Sequence, residues 1–323
     1  MKLRTYLAIG ASCCSIMIAA TQAGAQATRT FVSGVGDDFN PCSRTAPCKT
    51  FSGAINKTAA GGEINCLDPG GFGAVTITKS ITIDCEGTMG SALASSTTGV
   101  LLNAAGIIVT LRNLNINGGT PALPGVNGIR YLSAARLNVE NVRIFNFASA
   151  SAGNANGISI NPTSGGSHRV HVSNSVIRNN GTASQGSAIR VAPTGAAAVQ
   201  LSLENVEMTG NFRGIDVVAT GTSAGNTVTI TGGAIFNSTD NAINGATNAN
   251  ALNLMVNDVT FSNNLRGIVL AGAGAQARVG ESRITQNGTA VAVSGGAVVQ
   301  SYKNNQIDFN TNNSTPLPAA TPE

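Results

Sequence analysis

The chain has 323 residues, of which 11% are charged and 4% aromatic, with 39 Gly and no Trp. Its net charge of +4 falls to +2 without the first 25 residues (17 Lys/Arg against 15 Asp/Glu), which gives neither the dense basic face of a nucleic-acid binder nor the polybasic run of a membrane-surface protein. Low charge combined with regularly recurring Val, Ile and Leu argues against disorder and suits short strands joined by many Gly- and Asn-rich turns.

Residues 1–25 read as a signal peptide. Lys2 and Arg4 supply the positive start, Tyr6 to Ala20 is apolar or small, and Ala23-Gly24-Ala25 places cleavage before Gln26. Ser12, Ser15 and Thr21 interrupt the apolar run, which is shorter than the roughly 20 residues of a membrane span. Lipoprotein cleavage at Cys13 or Cys14 is the lesser alternative, because Gly10-Ala11-Ser12 lacks the usual large aliphatic residue. No later segment is apolar enough to span a bilayer, so the expected location is secreted, periplasmic or at the cell surface. Four cysteines remain after cleavage, Cys42, Cys48, Cys66 and Cys85, and in an exported chain they read as two disulfides with three possible connectivities. No His lies near them and no CxxC pair occurs, so no zinc site is expected.

From residue 111 onward a six-residue unit recurs, with an apolar first and sixth residue and Asn or a substitute third. It runs LRNLNI (111–116), VENVRI (139–144), VSNSVI (172–177) and LENVEM (203–208), then more weakly ITGGAI (230–235), VNDVTF (256–261), VGESRI (279–284) and YKNNQI (302–307). The third positions are Asn113, Asn141, Asn174, Asn205, Gly232, Asp258, Glu281 and Asn304, spaced 23 to 33 residues apart. Between them a second column keeps the same order: Gly128-Ile129, Gly157-Ile158, Ala188-Ile189, Gly214-Ile215, Ala242-Ile243, Gly267-Ile268 and Ala290-Val291. Each cycle holds three short alternating segments, such as Ile158-Ser159-Ile160, Val170-His171-Val172 and Ser175-Val176-Ile177. Alternation with period two buries the outer members of each triplet and exposes the middle one. Three strands per coil, stacked about 4.8 Å apart, give parallel sheets around a narrow apolar core. Asn suits the turn between two strands because it tolerates left-handed backbone, and its amide can bond to the next coil.

These spacings, the Asn turn and the Gly-Ile strand starts resemble the right-handed parallel β-helix of the pectin-lyase-like superfamily. The block from Thr30 to Cys85, with FVSGVGDDFNPCSRTAPCKTF (31–51) and VTITKSITIDC (75–85), resembles the entry region of its secreted members. The resemblance spans nearly the whole mature chain and implies an all-β solenoid with a short N-terminal cap containing a helix. Residues 26–63 are then the cap, with a helix-like stretch from Ser52 to Ala60 capped by Thr50 or Ser52. Residues 64–310 are the β-helix, beginning with strands Ile64 to Leu67, Val75 to Ile77 and Ile81 to Ile83. Residues 311–323, rich in Asn, Pro and Thr, read as a flexible tail, and no helical C-terminal cap is visible. Within this frame the expected disulfides are Cys42–Cys48, closing a small loop that contains Pro47, and Cys66–Cys85, joining strand ends about one coil apart.

The resemblance also implies where chemistry would sit. Pectate lyases use carboxylates to hold calcium beside an Arg or Lys base, and polygalacturonases use grouped Asp residues with a nearby His. The outward position after each Gly-Ile pair runs Arg130, Ser159, Arg190, Asp216, Asn244, Val269 and Ala292. Arg190 and Asp216 should pair across one coil, as a solvated salt bridge, or, with Arg130, line a groove for an anionic ligand. The strip lacks the two carboxylates of a glycosidase and the converging oxygens of a calcium site. Of the two histidines, His168 precedes a strand and His171 points outward from it. Asp37-Asp38 is too small a group for calcium, and the surroundings of Gly34 and Gly36 match no phosphate-cradling pattern. The sequence therefore points to a β-helix without metal or cofactor, non-catalytic, that binds or scaffolds a polysaccharide or other cell-surface component. A divergent polysaccharide lyase or hydrolase and an adhesive structural solenoid are the alternatives.

Overall fold

The computed structural model describes residues 26–248, 250–314 and 316–321; the signal peptide read over residues 1–25 lies outside the described residues. The Gly-Ile column becomes one face of a parallel β-helix. Nine parallel strands stack there, from Val75–Ile77 through Asn127–Ser133, Asn156–Ile160, Ser187–Val191 and Ile215–Val218 to Thr289–Ser294. Their register joins Ile129, Ile158, Ile189, Ile215, Ile243, Ile268 and Val291 in one unbroken inward row. The other two segments of each coil share a 19-stranded sheet that turns a corner at the asparagine column.

On that second face Leu111, Val139, Val172, Leu203, Ile230, Val256 and Val279 form a second inward row, each 3% exposed or less. Every such side chain touches its neighbours one coil above and below, and burying each contributes about 1.5–3 kcal/mol. At the corner the backbone is left-handed, with φ of 57° at Asn113, 52° at Asn141, 48° at Asn174 and 51° at Asn205. Gly232 (69°), Asp258 (56°) and Glu281 (52°) continue the turn without Asn. The last coil differs, since Lys303 takes the positive φ (68°) while the Asn304 side chain accepts from the Glu281 amide. The amide ladder comes in pieces, Asn141 to Asn113 to Asp84 (2.7 Å each) and Asn205 to Asn174 (2.9 Å).

A second asparagine ladder runs inside the coil, six residues after the first. Asn180 donates to Asn211 (3.0 Å), Asn264 to Asn287 and Asn287 to Asn310 (2.9 Å each). Asn180, Asn211, Asn264 and Asn287 are 3% exposed or less, and their amides also bond strand carbonyls such as Ile144, Ile177, Ile235 and Phe261. These bonds satisfy backbone groups where the chain leaves one sheet for the next.

At the N-terminal end the helix spans Phe51–Lys57, and Thr50 Oγ1 caps it by accepting from the Gly53 amide at 2.9 Å. It stops three residues earlier than expected because Thr58–Cys66 is a strand, flanked by Ala27–Val32 and Ile81–Asp84. Both disulfides form as expected, with Cα separations of 4.6 Å for Cys42–Cys48 and 4.7 Å for Cys66–Cys85. At the other end, the segment read as a flexible tail is docked. Ala290 donates to Asn312, Thr311 to Asn287 and Ser301 to Pro318 (2.9 Å each), and Ala320 is buried. An extended strap therefore covers the last coil in place of a helix, and satisfies strand edges that would otherwise invite pairing with another chain.

Candidate functional site

The strip Arg130, Ser159, Arg190, Asp216, Asn244, Val269 and Ala292 is in register on the first sheet, one residue per coil. The structure brings Arg190 and Asp216 together and leaves Arg130 apart. Arg130 has Leu101 and Ser159 as cross-strand neighbours and stands two coils from Arg190.

The Arg190–Asp216 pair is not the solvated bridge expected from the sequence. The Asp216 side chain is only 2% exposed, because Arg190, Arg213 and Asn244 close over it. Arg190 Nη1 donates to Oδ2, while Oδ1 accepts from Arg213 Nη1 (3.3 Å) and Asn244 Nδ2 (2.8 Å). Arg213 then reaches Asp240 through Nε (2.7 Å), and Asp240 receives Arg266 Nη2 at 3.5 Å. Three guanidiniums and two carboxylates thus form one chain of contacts across four successive coils. A buried carboxylate is costly unless its oxygens are filled, and here both oxygens of Asp216 are.

Arg213, Asp240 and Arg266 escaped the sequence reading, which followed only the position after each Gly-Ile pair. Their signal was upstream of it: Arg213 and Arg266 stand immediately before Gly214-Ile215 and Gly267-Ile268, and Asp240 stands two residues before Ala242-Ile243. Arg213 reaches Asp216 in its own coil and Asp240 in the next, and Arg266 reaches back to Asp240, so a search upstream of each pair finds them.

The two histidines part company. His171 points outward and is half-buried on the second sheet, as alternation requires. His168 belongs to the same strand, Gly166–Ser173, and is only 5% exposed. Its Nδ1 lies 3.0 Å from the Tyr131 hydroxyl and its Nε2 3.0 Å from the Ser164 carbonyl oxygen. Tyr131 is fully buried, which pushes its phenol well above the usual tyrosine range; the hydroxyl donates to the Ala134 carbonyl. This pair is core structure and offers no ring to a sugar.

Asp37 and Asp38 are turn residues. Asp38 accepts from the Lys49 and Thr50 amides (2.9 Å each) and from Thr50 Oγ1 (2.7 Å), and Asp37 from the Phe39 amide (2.9 Å). Among the described residues no three His, Cys, Asp or Glu side chains converge as a metal site would require.

No protein-family model and no curated protein matches the chain. Among solved structures, the crystal structure of pectate lyase Pel9A is similar, with a TM-score of 0.58 over 91% of this chain and 81% of that one, at 15% sequence identity. At that identity the likeness is one of fold, a parallel β-helix.

Proposed function

We propose that this chain is an exported, non-catalytic β-helix that binds or scaffolds polysaccharide or another cell-surface component. The observation carrying this reading is the saturation of Asp216 by Arg190, Arg213 and Asn244. Elimination from a uronate needs carboxylates free to hold a cation beside a base, and hydrolysis needs two placed carboxyl groups. Asp216 and Asp240 instead spend their oxygens on three arginines. Export is supported by the two disulfides, which persist in oxidising compartments. No helix among the described residues is long and apolar enough to cross a membrane.

The fold likeness to pectate lyase Pel9A favours a second reading, a divergent polysaccharide-active enzyme. The two readings separate in one experiment. The mature protein is mixed with insoluble cell-wall polysaccharide, and both sedimentation with the solid and release of soluble fragments are followed. Retention without release supports binding, release supports the enzyme, and neither would contradict both.

A further inference from the structure

We infer that the outward face of the second sheet, centred on Arg136 and Arg169, is a binding site for a linear carboxylated glycan. This rests on the reading of the chain as a polysaccharide-binding β-helix, and names the face and the ligand class.

Arg136 and Arg169 are direct cross-strand partners on adjacent coils. Like charges directly opposite one another destabilise a sheet, and strands about 4.8 Å apart put the two side chains side by side. On the first sheet the chain resolves this problem by setting Asp216 opposite Arg190 and Asp240 beside Arg213. Here it does not, and neither Arg136 nor Arg169 makes an ion pair among the described residues. The outward column continues as Gln200, Thr227, Asn253 and Gln276. The neighbouring one runs Thr110, Asn138, His171, Ser202, Thr229, Met255 and Arg278, and neither holds an Asp or Glu. The nearest carboxylate along the strand from Arg136 is Glu140, four residues or about 13 Å away at the corner. Two exposed, unneutralised arginines in register are the fixed half of an anion site whose other half is absent.

The surroundings select the kind of anion. The side chains form an open trough of about 520 Å³ floored by Asn138, His171, Gln200 and Ser202. Arg169 Nε donates to Gln200 Oε1 at 3.2 Å, which braces the guanidinium and leaves its terminal nitrogens for a carboxylate fork. Amides and hydroxyls at regular spacing match the hydroxyls of a sugar chain. The one ring in the trough is the His171 imidazole, and no Phe, Tyr or Trp lines it, so successive nucleobases find no row of stacking surfaces, and the sheet face has no open backbone edge for an added peptide strand.

The test uses the mature chain, with polygalacturonate and alginate as carboxylated probes and fully methyl-esterified pectin as the uncharged control. Binding is measured by titration calorimetry. Arg136→Gln/Arg169→Gln is expected to weaken binding of at least one carboxylated probe by roughly tenfold or more. Arg283→Gln, on the third face, should leave it unchanged, and the esterified control should bind neither protein. Circular dichroism and the thermal midpoint guard against misfolding, and the double variant should melt no lower than the parent because it removes a like-charge contact. Unchanged binding by the double variant overturns the site while leaving the polysaccharide-binding reading intact. Equal loss with Arg283→Gln overturns the site in favour of diffuse charge attraction. Binding of the esterified control alone overturns the ligand class, and binding of no probe overturns the inference together with the reading beneath it.

Discussion

Asp216 lies in register with Arg190 on the neighbouring coil, and its carboxylate is nearly sealed from solvent while the Arg190 side chain keeps 26% of its surface exposed. The pair is therefore lopsided, with a buried anion held under half-exposed cations. Asp216→Asn would leave Arg190 and Arg213 facing one another without the charge that joins them. The expected loss is roughly 2–3 kcal/mol in urea unfolding, below that of a fully buried pair because the arginines remain partly in water. A loss under about 0.5 kcal/mol would mean that the pair behaves as an ordinary surface bridge.

The two asparagine ladders should respond in opposite ways. Asn205 is exposed at φ 51°, a position Gly232 fills one coil later, so Asn205→Gly should change stability by no more than about 0.5 kcal/mol. Asn211 is buried and serves Asn180, Ile177 and Thr209 at once. Asn211→Ala strands those backbone groups and should cost about 2–3 kcal/mol. Chemical denaturation of the two variants side by side checks the order, and a reversed order would misplace the structural ladder.

The cap should be sensitive to acid through Asp38. Burial pushes its carboxyl up, but the Thr50 hydroxyl, the Thr50 and Lys49 amides and the Lys57 charge outweigh that and hold it below its ordinary value of 3.8. A depressed folded value means the contribution is complete above the ordinary value and is lost as pH falls through the folded one. Asp38→Asn should thus be less stable than the parent at neutral pH, with the two thermal midpoints converging at the acid end. A constant gap across the whole titration would show that ionisation of Asp38 contributes nothing.

Because each coil touches only its neighbours, whole coils are removable units. Deleting Gly214 to Arg266 joins Arg213 to Gly267 and sets the Ile268 strand against the Ile189 strand, two coils being lost. The product should keep a β-rich circular dichroism spectrum and melt cooperatively at a lower temperature, since Asp216 and Asp240 leave with the deleted coils. Complete unfolding would mean that the register across the deletion differs from the one described.

Much of this architecture was legible because a solenoid writes its geometry locally. The Asn113 and Ile129 columns each repeat at every coil, so their spacing gave the coil length, the inward rows and the Arg190–Asp216 register. What stayed hidden depends on side-chain depth. Asn180, Asn211, Asn264 and Asn287 do not stand out in the sequence, since asparagine is common in turns, yet they are buried and bond strand carbonyls. The burial of Asp216 was illegible because it depends on Arg213, which lies three residues earlier in its own coil and bends across to Asp240 in the next. The C-terminal strap has the Asn, Pro and Thr content of a free tail, and only the unpaired edge of the last coil gives it a place to dock.

The network of Arg190, Arg213, Asp216, Asp240 and Arg266 on the first sheet is proposed here to be a closed ionic cluster and not a catalytic one. Its most direct test is incubation of the mature protein with polygalacturonate, with and without calcium, following unsaturated products by absorbance and reducing ends by colour assay. The expected result is no turnover in either assay, alongside a loss of stability in Asp216→Ala. Turnover abolished by Arg190→Ala or Asp216→Ala, in variants shown to remain folded at the assay temperature, would contradict it.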